Sequence, residues 1–391
     1  MKRVIVVTIA LLTYAGACGQ RSLTLPEALA SVEANNPELK ALRHEAEAAK
    51  AGGRAQSSMP DPEVSFGYLW SGRKDVSVSQ GLDWATISGR RRAVSAAIDS
   101  LSESTYAVGR QDVLLRARLA YTGVVKSSLL VSLHTLRLDN ATRLADMARR
   151  LLAAGGGRQS DAMAAALARA QALAELTRAQ SELDTRMSEL AALNGGEAIM
   201  AADTALTALG SLPGDFDSWY ASVETRVSPL ALARARRGVA SAEADVARAE
   251  AMPQVSLGYM GEFTPDESYQ GVTLGVSLPL WSARRRARQS HLEAVSAQSR
   301  LEAEECRLRS TMRAAFNKTL MLGRVAAELR ESLQLNDGRA LAAAALSAGE
   351  MTAAEAIYAE SLYYEAAVAT VNAEAEYLIA IAELESCVIE L

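Results

Sequence analysis

The positions of proline set the strongest limit on how this chain folds. Its 391 residues include 9 prolines, and none of them lies within 63–212 or after position 279. Proline removes a backbone donor and interrupts helices, so both stretches are open to very long helices. We predict long helices over 90–154 and 283–348, each about 100 Å long, and returning helices over 161–193 and 353–387. Helices of this length are typical of coiled coils and helical barrels.

Composition agrees with long, closely packed helices and argues against several functions. Apolar residues make up 49% of the chain, charged residues 22% and aromatic residues only 5%, which is typical of an ordered protein that is rich in small helix formers. The net charge of −5 argues against nucleic-acid binding. The sequence contains 3 Cys and 3 His and has no Walker, GxSxG or HExxH motif. We therefore expect neither an enzyme nor a metal or cofactor site.

The N-terminus has the form of an export signal. Lys2 and Arg3 precede an apolar run over 4–12, and small residues then lead to Cys18. This pattern predicts a signal peptide over 1–17. Cys18 is then either the acylated first residue of a bacterial lipoprotein or a plain thiol left by ordinary cleavage, and both alternatives remain open. No later stretch reaches the roughly 18 apolar residues of a membrane-spanning helix.

The sequence also repeats itself. Met59-Pro60 recurs as Met252-Pro253, and the other matched motifs follow in the same order at offsets of 191 to 197 residues. We predict one unit present twice, built from a helix, two strands, a long helix and a returning helix. The first copy covers 18–193, the second covers 215–391, and an irregular connector over 194–214 joins them.

Four short segments alternate apolar residues with small, mostly polar ones, which predicts strands over 62–70, 76–84, 253–263 and 269–281. A water-soluble sheet would also alternate, but an aromatic-rich face opposite a small, hydroxylated face fits a lipid-facing wall around a polar lumen. Aromatic residues expected at the membrane interface are Trp70, Trp84, Tyr259 and Trp281.

The number of predicted strands requires more than one chain. Four strands cannot close a barrel, and lipid tolerates no open sheet edge. Several chains must therefore share one barrel if these strands lie in a membrane. Two chains would supply eight strands and three would supply twelve, and both numbers occur in outer-membrane barrels.

Two arginine runs occupy matching places, at 90–92 and 284–286. Each run directly follows a predicted strand pair and begins a predicted long helix. We expect both runs at the junction between sheet and helices, where either anionic lipid headgroups or neighbouring acidic side chains hold them.

Several motifs together resemble the TolC-like outer membrane efflux protein family. The resemblance extends over essentially all of the chain after the signal peptide, and the duplicated strand pair and long helix are part of it. The opening signature is Leu23-Thr24-Leu25-Pro26-Glu27-Ala28-Leu29 followed by Asn35-Asn36-Pro37-Glu38-Leu39. The motifs most similar to the heavy-metal resistance branch of that family are Met59-Pro60-Asp61-Pro62-Glu63, and Ser79-Gln80 ahead of Gly89-Arg90-Arg91.

This resemblance implies a mainly α protein with a small β part. It implies a homotrimer whose 12-stranded β-barrel lies in the outer membrane of a Gram-negative bacterium and continues as a long α-helical barrel in the periplasm. Such a channel docks with a periplasmic adaptor and an inner-membrane pump and passively conducts solutes, such as metal cations or small toxic compounds, to the cell exterior. It needs no cofactor. Because the connector is short, we expect a reduced equatorial band.

The alternative function is that of a periplasmic structural or adhesive coiled-coil protein. A fibrous protein of that kind has no need of two aromatic-rich hairpins at matched places, so the strand pairs distinguish the two functions.

The turns between paired helices are the candidate gate. Asp161 and Glu355 follow these turns at equivalent positions, and in a trimer they would place six carboxylates around a narrow mouth that attracts cations. The resemblance supports this role, because the family has acidic rings at its periplasmic tip. Capping alone is the other interpretation, since Thr352 and Glu355 fit a capping box and Ser160 or Asp161 suits an N-cap. The residues assigned to the turns are Gly155, Gly156, Gly157, Ser160, Gly349 and Thr352.

Overall fold

The computed structural model describes residues 22–70, 73–82, 85–206, 214–264, 267–279, 281–336, 344–346 and 350–388. The predicted signal peptide and Cys18 lie outside these residues, as do Trp84 and Gly349. Within them the chain is mostly helical with a small sheet part, as the sequence predicts.

The first half of the chain leads from short helices through a hairpin into the longest helix. Its elements are β1 (Ser22–Leu23), α1 (Leu25–Asn35), α2 (Pro37–Gln56), β2 (Glu63–Tyr68), β3 (Lys74–Leu82), α3 (Ala85–Ala153) and α4 (Gln159–Leu193). Helix α3 has 69 residues, which corresponds to about 100 Å. Asn36 separates α1 from α2, and its side chain accepts a hydrogen bond from the Leu39 backbone N–H at 3.0 Å. Pro37 follows at the first helical position, where its missing N–H costs nothing.

The second half has a similar order of elements. They are β4 (Met200–Ala201), α5 (Phe216–Val223), α6 (Ser228–Glu250), β5 (Gln254–Phe263), β6 (Ser268–Ser277), α7 (Ser282–Leu335) and α8 (Ala353–Glu385). The prediction of one continuous helix to residue 348 is wrong, because α7 ends at Leu335. Its C-cap Asn336 leaves the helical conformation, with φ −116° and ψ 32°. The sequence there, Asn336-Asp337-Gly338, has low helix propensity.

The four long strands form one antiparallel sheet in the order β2-β3-β5-β6. Val78 lies opposite Val64 on one side and Tyr259 on the other, and Tyr259 lies opposite Val272. Directly paired residues share a face of a sheet, so this row of four side chains crosses one face. The strands differ from the prediction at their ends, and β6 stops at Ser277, so Trp281 is not a strand residue.

Two buried clusters hold the middle of the helices together. In the first, the Tyr121 hydroxyl on α3 lies 2.7 Å from Asp203 Oδ2 and 2.9 Å from the Leu23 carbonyl oxygen, and burial raises the pKa of this phenol. These contacts bring α3 to β1, which pairs in parallel with β4. The predicted irregular connector therefore contains one short strand. In the second cluster, the rings of Phe216 on α5 and Phe316 on α7 pack 5.7 Å apart.

Candidate functional site

One face of the four-stranded sheet is apolar and uncovered. Val272 is 75% exposed, Val64 70% and Phe66 68%, and Leu274 and Val276 on β6 are also exposed. Contiguous apolar surface of this kind on a soluble monomer marks an interaction site for another apolar partner.

The opposite face is small and polar. Ser65 and Ser77 face each other across β2 and β3 with their hydroxyl oxygens 2.8 Å apart. A Cβ at Gly258 would lie only 2.6 Å from Thr273 Oγ1, so this position has no room for a larger residue. The sheet therefore separates an apolar face from a face on which hydroxyl groups and glycine predominate, with Met260 as an exposed apolar exception.

Both edges of the sheet lack a neighbour in the described part of the chain. β2 and β6 are the outer strands, and each pairs there with one strand only. An exposed edge carries unpaired backbone N–H and C=O groups and invites pairing with another chain.

Two fully exposed tryptophans lie at opposite ends of this sheet. Trp70 follows β2 near the β2–β3 turn and is 101% exposed, while Trp281 precedes α7 at the helical end and is 81% exposed. Tyr259 lies between these ends, on the apolar face of β5. Exposed tryptophans on either side of an apolar band are typical of the two interfaces of a membrane.

At the end of the long helices that lies away from the sheet, three glycines form the turn between α3 and α4. Gly155 adopts a positive φ of 77°, and the N–H of Gly156 donates to the Leu151 carbonyl oxygen at 3.1 Å. A Cβ at Gly157 would lie 2.7 Å from the Leu152 backbone nitrogen. The turn therefore needs glycine for two different reasons, a left-handed conformation at Gly155 and a close backbone approach at Gly157.

The prediction that Ser160 or Asp161 caps α4 is wrong. The N-cap is Arg158, which makes no side-chain capping bond, and the helix starts at Gln159. Ser160 and Asp161 consequently lie inside the first turn rather than ahead of it. The backbone N–H of Asp161 already donates to the Arg158 carbonyl oxygen at 3.2 Å.

The predicted capping box at α8 is confirmed. Thr352 Oγ1 accepts from the Glu355 N–H at 3.3 Å, and Glu355 Oε2 accepts from both the N–H and the hydroxyl of Thr352 at 2.8 Å. The backbone hydrogen bond from Thr352 lowers the pKa of Glu355. The carboxylate is therefore charged at neutral pH while it caps the helix.

The structure brings Asp161 and Glu355 to the same end of the helices. Ala165 on α4 and Ala353 on α8 belong to one buried cluster with Leu144 on α3. Asp161 lies one turn before Ala165, and Glu355 lies two residues after Ala353. Their carboxylates thus share the helical tip.

The described helices contain neither a candidate metal site nor a candidate membrane-spanning segment. Across the described ranges, no three His, Cys, Asp or Glu side chains are grouped in a way that could hold a metal ion. Among the same residues, no helix combines the length and the apolar composition that crossing a bilayer requires. His134 lies beside an acid, with Nδ1 3.5 Å from Glu175 Oε2.

A rod of long helices that ends in a small antiparallel sheet, apolar on one face, is the fold of several solved outer-membrane channels. Solved structures of this class match almost the whole chain. The outer-membrane channel OprN matches with a TM-score of 0.75 at 18% identity, over 93% of this chain and 89% of OprN. CusC matches with a TM-score of 0.75 at 14% identity, over 94% and 92%. The Campylobacter jejuni CmeC outer membrane channel matches with a TM-score of 0.71 at 14% identity, over 93% and 85%.

These similarities confirm, at the level of the fold, the resemblance that the sequence motifs carry. No family model matches the sequence, and no curated protein matches it either.

Proposed function

We propose that this chain is the outer-membrane channel of a tripartite efflux system. In this proposal the channel is a passive conduit and not an enzyme. The observation that carries the proposal is the sheet, which has an exposed apolar face, a polar face and two outer strands with free edges. In an outer membrane, lipid would cover the apolar face. Further copies of the chain would pair with both edges, so that their backbone N–H and C=O groups form hydrogen bonds.

Three copies suit a conduit better than two. The sheet has four strands, so two copies make an eight-stranded barrel. The interior of a barrel of that size is filled by side chains. Three copies make a twelve-stranded barrel, with more room for a polar lumen. The small residues on the polar face, such as Ser65, Ser77 and Gly258, would line that lumen. The duplicated unit proposed from the sequence would then give the barrel six related hairpins.

The helical rods would continue the passage into the periplasm, and their tips would meet the adaptor and, through it, the inner-membrane pump. The Asp161 and Glu355 carboxylates would form the acidic mouth. Capping and pore lining are compatible at Glu355, because its carboxylate is exposed as well as hydrogen-bonded to Thr352. Acylation of Cys18 would add an anchor in the same membrane.

Conductance in planar lipid bilayers tests the proposal. Purified oligomer is expected to give discrete ion-conducting steps, and native mass spectrometry is expected to show three copies. A folded oligomer that never conducts across a range of voltages would contradict the channel. Flotation of the Cys18→Ser variant with membrane vesicles separates the alternative, since a periplasmic coiled-coil protein without an acyl anchor would stay in the aqueous fraction.

A further inference from the structure

The structure distinguishes between the two arginine runs at the junction of sheet and helices. The run that begins α3 is held by α6. Arg90 Nη1 donates to the Asp245 carbonyl oxygen at 3.2 Å, and Arg91 Nη2 donates to Glu250 Oε1 at 3.1 Å. Groups on α6 therefore hold both Arg90 and Arg91, and Glu250 pairs with the charge of Arg91.

The run that begins α7 has no such partners. Arg284, Arg285, Arg286 and Arg288 are exposed, and none of the four forms an ion pair with any residue that the structure describes. Further along the same helix arginines do find acids: Arg313 reaches Asp217 at 2.8 Å and Arg330 reaches Glu374 at 2.6 Å. Within the described residues Arg300 and Arg324 on α7 also lack an ion pair, but they stand singly, whereas the junction gathers four unpaired arginines within five residues.

The position of these charges is unfavourable for the isolated helix. The first turn of α7 contains no acidic residue, although the N-terminal end of a helix dipole favours anions and disfavours cations. Three consecutive arginines there raise the local positive potential. Glu243 and Glu250 line a cavity with Arg286, but neither forms an ion pair with it. A negatively charged partner from outside would remove this cost.

The location indicates what that partner is. The run starts just beyond the exposed apolar residues Val276 and Leu278 and the exposed Trp281. From the start of α7 to Arg288 the helix rises about 9 Å, which is similar to the roughly 5–8 Å headgroup layer on one side of a bilayer. Successive helix positions are about 100° apart, so Arg284, Arg288 and Arg285 lie within about 100° of one another on one side of α7, and Arg286 lies about 100° further round.

We propose that Arg284, Arg285, Arg286 and Arg288 bind anionic phospholipid headgroups, such as phosphatidylglycerol, at the membrane surface on the helical side of the sheet. The inference rests on the proposed function in one respect, namely that the sheet lies in a membrane. An acidic protein would also attract arginines. Lipid is favoured because the charges adjoin the exposed apolar face and Trp281.

The test measures lipid binding to the purified full-chain oligomer by native mass spectrometry, with phosphatidylglycerol and zwitterionic phosphatidylcholine titrated separately. Wild type is expected to prefer phosphatidylglycerol. Each arginine near an anionic surface contributes roughly a five-fold gain in affinity, so R285Q/R288Q should bind phosphatidylglycerol roughly 25-fold more weakly. R300Q/R324Q is the matched control, because these two arginines are exposed on α7 away from the junction.

Equal binding of phosphatidylglycerol by wild type and R285Q/R288Q would overturn the lipid site, and so would an equal loss in R300Q/R324Q. Inorganic phosphate is the probe for a free-anion site: tight phosphate binding without a preference for phosphatidylglycerol would also overturn it. Conductance recorded on the same preparations separates the two proposals. Pores without a lipid preference contradict only the lipid site, whereas a lipid preference without pores contradicts only the channel.

Discussion

A lysine at Val272 tests directly whether lipid covers the apolar face. Val272 is 75% exposed in the single chain, so in water Val272→Lys should change stability by no more than about 0.5 kcal/mol. Strand β6 has 10 residues, which span about 33 Å and, at a tilt of about 40°, an apolar band about 25 Å high. Val272 is the fifth of them and lies near the middle of that band. There a lysine costs about 2–4 kcal/mol per copy.

The matched control is Thr273→Lys, because Thr273 is the next residue and belongs to the polar face. The assay is reversible insertion into phospholipid vesicles, followed by fluorescence of the 4 tryptophans during guanidinium titration. Val272→Lys is expected to lower the insertion constant on the order of 100-fold per copy of the chain, and Thr273→Lys should remain close to wild type. If both variants insert like wild type, the apolar face does not meet lipid.

Three further predictions concern the tip and the N-terminus. Gly157→Ala should lower the unfolding free energy by about 1–3 kcal/mol, because the added Cβ would lie 2.7 Å from a backbone atom. Gly156→Ala is the control, since a Cβ there meets nothing within 4 Å. Equal melting temperatures of the two variants would contradict this reason. Asp161→Asn with Glu355→Gln should reduce cation selectivity in single-channel recordings, and unchanged selectivity would exclude the pore role. The wild type is expected to incorporate labelled palmitate during growth and Cys18→Ser is not, whereas a wild type without label would show that the cysteine is a plain thiol.

Local patterns made several features of this molecule predictable. The alternation in Val64, Phe66 and Tyr68 has a period of two, which identifies both the strand and its apolar face without reference to any other segment. The capping box of Thr352 and Glu355 was predictable for the same reason, since all of its hydrogen bonds lie within four residues.

Other features of the structure could not be predicted from local sequence patterns. The N-cap of α4 was predicted wrongly. After the glycine turn the helix begins at Gln159, so the residue before it is Arg158 and not Ser160 or Asp161. The short pair β1–β4 could not be predicted either. It joins Ser22 to Met200, and two-residue strands have no periodicity of their own.

The sequence by itself determined the types of the long helices and long strands and their order, because helix and strand periodicity, proline positions and capping motifs act over a few residues. The tertiary structure decided which segments meet: β3 with β5, and the tip of α3 and α4 with the start of α8. It also decided that α6 forms hydrogen bonds with Arg90 and Arg91 of α3 and none with the arginine run at the start of α7. These pairings depend on burial and backbone hydrogen bonding between segments far apart in the chain, and no local period carries that information.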